Sequence, residues 1–108
     1  MIIDVKYTKR AICDLDSIYE YISEEFSAPK TAESIVNLIR AAIRKLNEMP
    51  RRFKLCDDEP WRSKGIRCFN VKNYMVFYLP NESDKTVTIL SVMYGGRNIQ
   101  EQLKEIEI

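Results

Sequence analysis

Residues 66–94 read IRCFNVKNYMVFYLPNESDKTVTILSVMY, and this stretch decides the fold. Valine, isoleucine, threonine, phenylalanine and tyrosine crowd a helix backbone but fit a pleated surface, so residues 66–71, 72–79 and 86–94 predict three strands. A turn is expected near Asn70 to Asn73, and Pro80-Asn81-Glu82-Ser83-Asp84 predicts a polar turn into the last strand. Connections this short give an antiparallel meander. On the middle strand Tyr74, Val76 and Tyr78 share one face, and Met75, Phe77 and Leu79 the other. The purely apolar set is expected under the rest of the protein. The tyrosine face is then expected to look outward; aromatics on a sheet are more often packing than a stacking platform, but strands this rich in tyrosine suggest a binding surface.

Upstream, Ile3, Val5 and Tyr7 alternate with Asp4 and Lys6, which predicts a short strand able to close an edge of the sheet. Thr8 can cap the helix that follows. Ala11, Leu15, Ile18, Ile22 and Phe26 then recur every three or four residues, with acidic side chains between them. Ser27-Ala28-Pro29 breaks that helix, and proline suits the first turn of the next. Ala32, Ile35, Ile39, Ala42, Ile43 and Leu46 form a second stripe that ends at Met49-Pro50. The order is β-α-α-β-β-β with a short C-terminal helix over residues 99–106, capped by Asn98. This is an α+β fold in one domain, residues 1–108, with a helical hairpin packed on an antiparallel sheet.

The 108 residues contain no histidine. Ser-His-Asp and Cys-His nucleophile pairs are therefore excluded, as are His-containing zinc sites. Cys13, Cys56 and Cys68 are odd in number and widely spaced, so a reducing, cytoplasmic location without disulfides or a metal is expected. No cofactor is implied. No stretch has the run of apolar residues a membrane helix needs, so no membrane partner is expected.

Lys and Arg number 17 against 16 Asp and Glu, but they are unevenly placed. The segment from Arg40 to Lys72 is basic and includes Lys54, Arg62, Lys64 and Arg67; Asp57-Asp58-Glu59 interrupts it. Such a rim could face phosphate or an acidic partner, or simply be a solvated helix end and loop. Residues 50–63 follow neither period, and Trp61 within them is expected to cover the core. Arg97 follows a glycine pair at the end of the last strand, where a bridge to Glu101 would also account for it.

The runs DLDSIYEYISEEF (14–26), LNEMP (46–50), GIRCFNVKNYMVFY (65–78) and TILSVMYGGRN (88–98) together resemble the RelE/ParE superfamily of bacterial toxins. These are the toxic halves of type II toxin-antitoxin modules, often called plasmid-stabilisation proteins. The resemblance spans residues 2–103. It implies growth inhibition, a cognate antitoxin and a toxin-antitoxin hetero-oligomer. It also implies one of two targets. RelE-like members cut mRNA in the ribosome with basic residues on the sheet, whereas ParE-like members bind and poison DNA gyrase.

Met75 stands where the ribonuclease pattern carries an arginine, and residues 99–106 hold no tyrosine. Arg67 and Arg97 match arginines of the superfamily, and VMYGGRN resembles the ParE side, with Asn98 for the commoner aspartate. A gyrase-binding toxin is therefore favoured, with Arg62, Lys64, Arg67, Tyr74, Tyr78, Tyr94 and Arg97 as the target-binding set. The alternatives are a ribosome-dependent mRNA endoribonuclease using Arg67, Tyr94, Arg97 and Lys54, and an inactive remnant that only binds an antitoxin. Cleavage would need a base, a phosphate clamp and a leaving-group acid held together.

Overall fold

The structure is a computed structural model that describes residues 3–57 and 59–95. Strand β1 (Asp4–Tyr7) leads into helices α1 (Lys9–Glu25) and α2 (Pro29–Arg44), then a 3₁₀ turn (Lys45–Asn47). After the irregular segment come β2 (Arg67–Val71), β3 (Tyr74–Asn81) and β4 (Thr86–Tyr94). The sheet order is β1-β4-β3-β2. The meander β2-β3-β4 is antiparallel, as the sequence predicts, and β1 joins it parallel to β4, so the four-stranded sheet is mixed. The C-terminal helix expected over 99–106, with Asn98, Arg97 and Glu101, lies outside the described residues.

Each helix boundary has a local cause. Thr8 is the N-cap of α1, its Oγ1 accepting from the Ala11 N–H at 3.1 Å. The same hydroxyl lies 3.1 Å from the carbonyls of Ile89 and Leu90, tying the helix start to β4. At the far end Ser27 adopts φ 49°, and the Ala28 N–H reaches back to the Ser23 carbonyl at 3.2 Å. That is a left-handed cap in which serine stands where glycine is the usual choice. Ala28 then begins α2, with Pro29 in its first turn and no side-chain cap.

Both predicted stripes reach the core. Ala11, Leu15, Ile18 and Ile22 of α1 are buried, with Ala32, Ile39 and Ile43 of α2 and Leu46 of the 3₁₀ turn. Phe26 departs from the expectation: as the C-cap of α1 it is 65% exposed.

The faces of the sheet are the reverse of the sequence expectation. Tyr74, Val76 and Tyr78 pack under the helices with Phe69, Val71, Val87, Ile89 and Val92. Phe77, Leu90 and Met93, with Met75 and Leu79 alongside, face the other way, and the segment before β2 covers them with Cys56, Trp61 and Ile66. A sheet buried on both sides has two apolar alternations, so period alone cannot say which one meets the helices. Trp61 is a cover, as its sequence context predicts, but over the second face.

A bulge adjusts this arrangement. The ladder pairs Phe77 with Ser91 and Tyr78 with Ile89, leaving Leu90 as the extra residue. The expected turn over residues 80–84 is also shorter than read. Pro80 and Asn81 continue β3, opposite Val87 and Thr86. Because β2 begins opposite Tyr78, Pro80 lies where β3 has lost one neighbour, a position that tolerates a missing N–H.

Candidate protein-interaction site

Of the described residues singled out in the sequence, Tyr74 lies opposite Tyr94 and Arg67 opposite Tyr78, but the set does not converge on one place. Arg67 sits on β2 opposite Tyr78, and its Nη1 donates to the Phe53 carbonyl at 2.6 Å, holding the irregular segment to the sheet edge. Lys54 is exposed and pairs with Asp57 at 3.8 Å. Lys64 reaches over the Trp61 ring, its Nζ 5.7 Å from the centroid, and Arg62 is exposed in the same turn. Tyr94 lies at the far end of the meander, opposite Tyr74, while Arg67 lies four residues from Val71 at the other end of β2. Four strand residues span about 13 Å. Arg97 lies outside the described residues.

Tyr74 and Tyr78 are corrected most sharply. They are 8% and 0% exposed, so Tyr78 offers no ring to a partner and Tyr74 only the small part that lines a groove. The Tyr78 hydroxyl is buried beside the Phe53 backbone amide, with no hydrogen bond of good geometry among the described residues. Burial pushes its pKa up, against the smaller opposing effects of the Phe53 amide and Arg67. A phenol held protonated in this way is a poor general base near neutral pH.

One carboxylate is used structurally. The Ser91 hydroxyl and the Val92 N–H both donate to Asp14 Oδ2, at 2.6 and 3.0 Å. Asp14 on α1 thus satisfies β4 just beyond the bulge, where β1 has ended at the Ile89 pairing. Among the described residues no group of Cys, Asp and Glu is arranged to hold a metal ion.

What the structure does assemble is a groove of about 820 Å³ between α1, the start of α2, the β2–β3 turn and the end of β4. Ile18 and Ile22 from α1, Ile35 from α2, and Tyr74 and Val92 from the sheet form its floor and walls. Tyr21, Phe26 and Tyr94 line it too and remain 51%, 65% and 45% exposed. The Tyr21 and Phe26 rings meet edge-on at 5.9 Å, and Tyr94 meets Tyr74 at 5.7 Å. Exposed aromatics around an apolar cleft are the composition of a protein-binding surface. Of these three only Tyr94 is legible in the sequence as a site residue. Phe26 reads as core, and Tyr21 lies off the α1 stripe, so its one signal is a large ring at a solvent position.

The comparisons with known proteins fit this geometry. Residues 5–99 match the family described as "ParE toxin of type II toxin-antitoxin system, parDE". The chain belongs to the ParE toxin family. Among solved structures, the chromosomal ParDE toxin-antitoxin system of P. aeruginosa superposes on this ParE-family chain with a TM-score of 0.70 at 21% identity, over 86% of this chain and 96% of that one. The RelBE2 toxin-antitoxin complex of Mycobacterium tuberculosis gives 0.61 at 21% identity, over 87% and 99%. A free E. coli RelE double mutant gives 0.66 at 13%, over 99% and 100%. At these identities the likeness concerns the fold. No curated protein matches the sequence significantly. No helix among the described residues is long and apolar enough to cross a membrane.

Proposed function

We propose that this ParE-family toxin acts by binding DNA gyrase and is silenced by a cognate antitoxin. The observation that carries the reading is the closed second face of the sheet. A nuclease site on the sheet needs cationic and acid-base side chains standing clear of it. Here that face holds Phe77, Leu90 and Met93 under Trp61, with Met75 beside them. Arg67 is committed to the Phe53 carbonyl, and Tyr74 and Tyr78 lie in the core. Binding chemistry is what the remaining surface can offer.

Target contact is assigned to the exposed Arg62 and Lys64 of the covering segment and to Tyr94 at the groove, with Arg97 joining them on its sequence pattern alone. The antitoxin covers the groove and buries Tyr94, denying it to the target. The protein is cytoplasmic on this reading. The structural neighbours include ParDE and RelBE complexes, which supports a partner of that kind.

The decisive experiment adds the purified toxin to a gyrase supercoiling assay and maps transcripts in arrested cells. Loss of supercoiling with intact transcripts is expected. Normal supercoiling at stoichiometric excess overturns the gyrase assignment, and cleaved transcripts in the same cells would replace it with a ribosome-dependent endoribonuclease.

A further inference from the structure

The segment over the second face ends in a turn of definite geometry. The Lys64 N–H donates to the carbonyls of Pro60 and Trp61, both at 3.2 Å, which closes a single helical turn. The Ile66 N–H then reaches back to the Trp61 carbonyl, and the Gly65 N–H to Arg62, both at 3.1 Å. These are the crossed bonds of a Schellman cap, and Gly65 takes its left-handed position at φ 84°. An apolar contact usually joins the first and last residues of such a cap, and here Trp61 and Ile66 are buried in one cluster on the sheet. The Cys56 N–H donates to the Ile66 carbonyl at 2.8 Å, so the end of the cap is also tied to the incoming chain.

Arg62, Ser63 and Lys64 lie between the two buried residues and are exposed. A turn anchored at both ends fixes where they stand. The Ser63 hydroxyl donates to the Glu59 carboxylate, and Lys64 Nζ lies 5.7 Å from the Trp61 ring centroid. Arg62 has no carboxylate within ion-pair distance among the described residues. Two cations on a turn this constrained lose little freedom when a partner binds them. Glu59, held beside them through Ser63, and the exposed Asp57 earlier in the loop would repel an extended phosphate backbone. A compact patch of carboxylates can meet the cations alone.

We infer that Trp61 and Gly65 are positioning residues for target contact: the capped turn they build holds Arg62 and Lys64 toward an acidic surface of the target protein. This rests on the proposed gyrase reading and specifies how two of its contact residues are held. Trp61 sets where the turn sits on the sheet. Gly65 sets its handedness, because a Cβ there has room, with Leu79 Cδ1 at 3.7 Å, but the backbone conformation disfavours it.

The test measures gyrase inhibition by purified toxin and binding to DNA-free gyrase by calorimetry. Arg62→Ala/Lys64→Ala should weaken both about tenfold or more near physiological salt, the loss shrinking as salt rises. Trp61→Ala and Gly65→Ala should each weaken both on their own, yet add nothing in the double-alanine background, because they act through the same cations. Trp61→Phe should recover most of the Trp61→Ala loss. Should Trp61→Ala fail to fold, Gly65→Ala carries the test. In that variant the Ile66 amide should lose exchange protection while the Cys68 amide, bonded to the Lys54 carbonyl, keeps it. Losses that add to the double-alanine effect mark a merely structural role and overturn the inference. Full potency of the double-alanine variant overturns it too and leaves the gyrase reading intact. A parent protein that leaves gyrase untouched removes both. Dependence on Arg62 and Lys64 that appears only when DNA is present assigns the cations to phosphate and overturns the acidic protein surface.

Discussion

Asp14 shows how one side chain can join two layers. Its Oδ2 takes hydrogen bonds from the fully buried Ser91 and from the Val92 amide, so Asp14→Ala leaves two donors without an acceptor. Each unmet buried donor costs about 1–3 kcal/mol, and urea denaturation should show a loss in that range or above it. Asp14→Asn keeps an acceptor oxygen and should lose less. Tyr78 is the opposite case, since its hydroxyl is buried with only the Phe53 amide near it and no hydrogen bond of good geometry among the described residues. Tyr78→Phe should be neutral or stabilising by up to about 1 kcal/mol. Its raised pKa also sets a sign: the folded state keeps a phenolic proton that the unfolded chain gives up near 10. Stability from this group is complete below that pH and falls as the pH rises through the higher folded value. In urea titrations followed above pH 10, the Tyr78→Phe variant should lose stability less steeply than the parent, Tyr7 contributing in the same direction in both.

Elements are decided where local chemistry and packing meet. Ser27 holds φ 49° in the left-handed cap between α1 and α2, a conformation that strains a residue with a Cβ. Ser27→Gly should therefore stabilise the protein by about 0.5–1 kcal/mol, read as a rise in Tm, the relief outweighing glycine's greater freedom when unfolded. The segment before β2 matters more than its irregular sequence implies. Trp61 closes the second face of the sheet over Phe77, Leu90 and Met93. Trp61→Ala should cost about 3–5 kcal/mol in chemical denaturation. Because it is the single tryptophan, the fluorescence of the parent protein reports undocking of this segment directly. The strands, both helices, the Thr8 cap and the Pro29 start were legible because each depends on a side-chain pattern or cap within one segment. The inward face of β3 was not, because Tyr74-Val76-Tyr78 and Met75-Phe77-Leu79 are both apolar enough to be buried. The bulge at Leu90 and the strand position of Pro80 were likewise set by the neighbouring strands.

For the whole molecule, the surface separates folding from function. Tyr21 and Phe26 at the groove are exposed, so Phe26→Glu should leave stability within about 0.5 kcal/mol. On the proposed reading, the same change weakens antitoxin binding about tenfold or more, because it sets a charge against an apolar contact, and calorimetric titration measures it. The formal charge of +1 conceals this organisation. Basic groups lie along the covering segment and the end of α2, while α1 carries acidic residues on its solvent side. The sequence by itself determined the order of elements, the family and the lack of histidine chemistry, since these depend on residue identity and local period. Only the tertiary structure decided that both sheet faces are buried, that Tyr74 and Tyr78 belong to the core and Phe26 to the surface, and that Arg67 is held by the Phe53 carbonyl. Those outcomes depend on which layer covers which face, and layers meet through residues far apart in the chain.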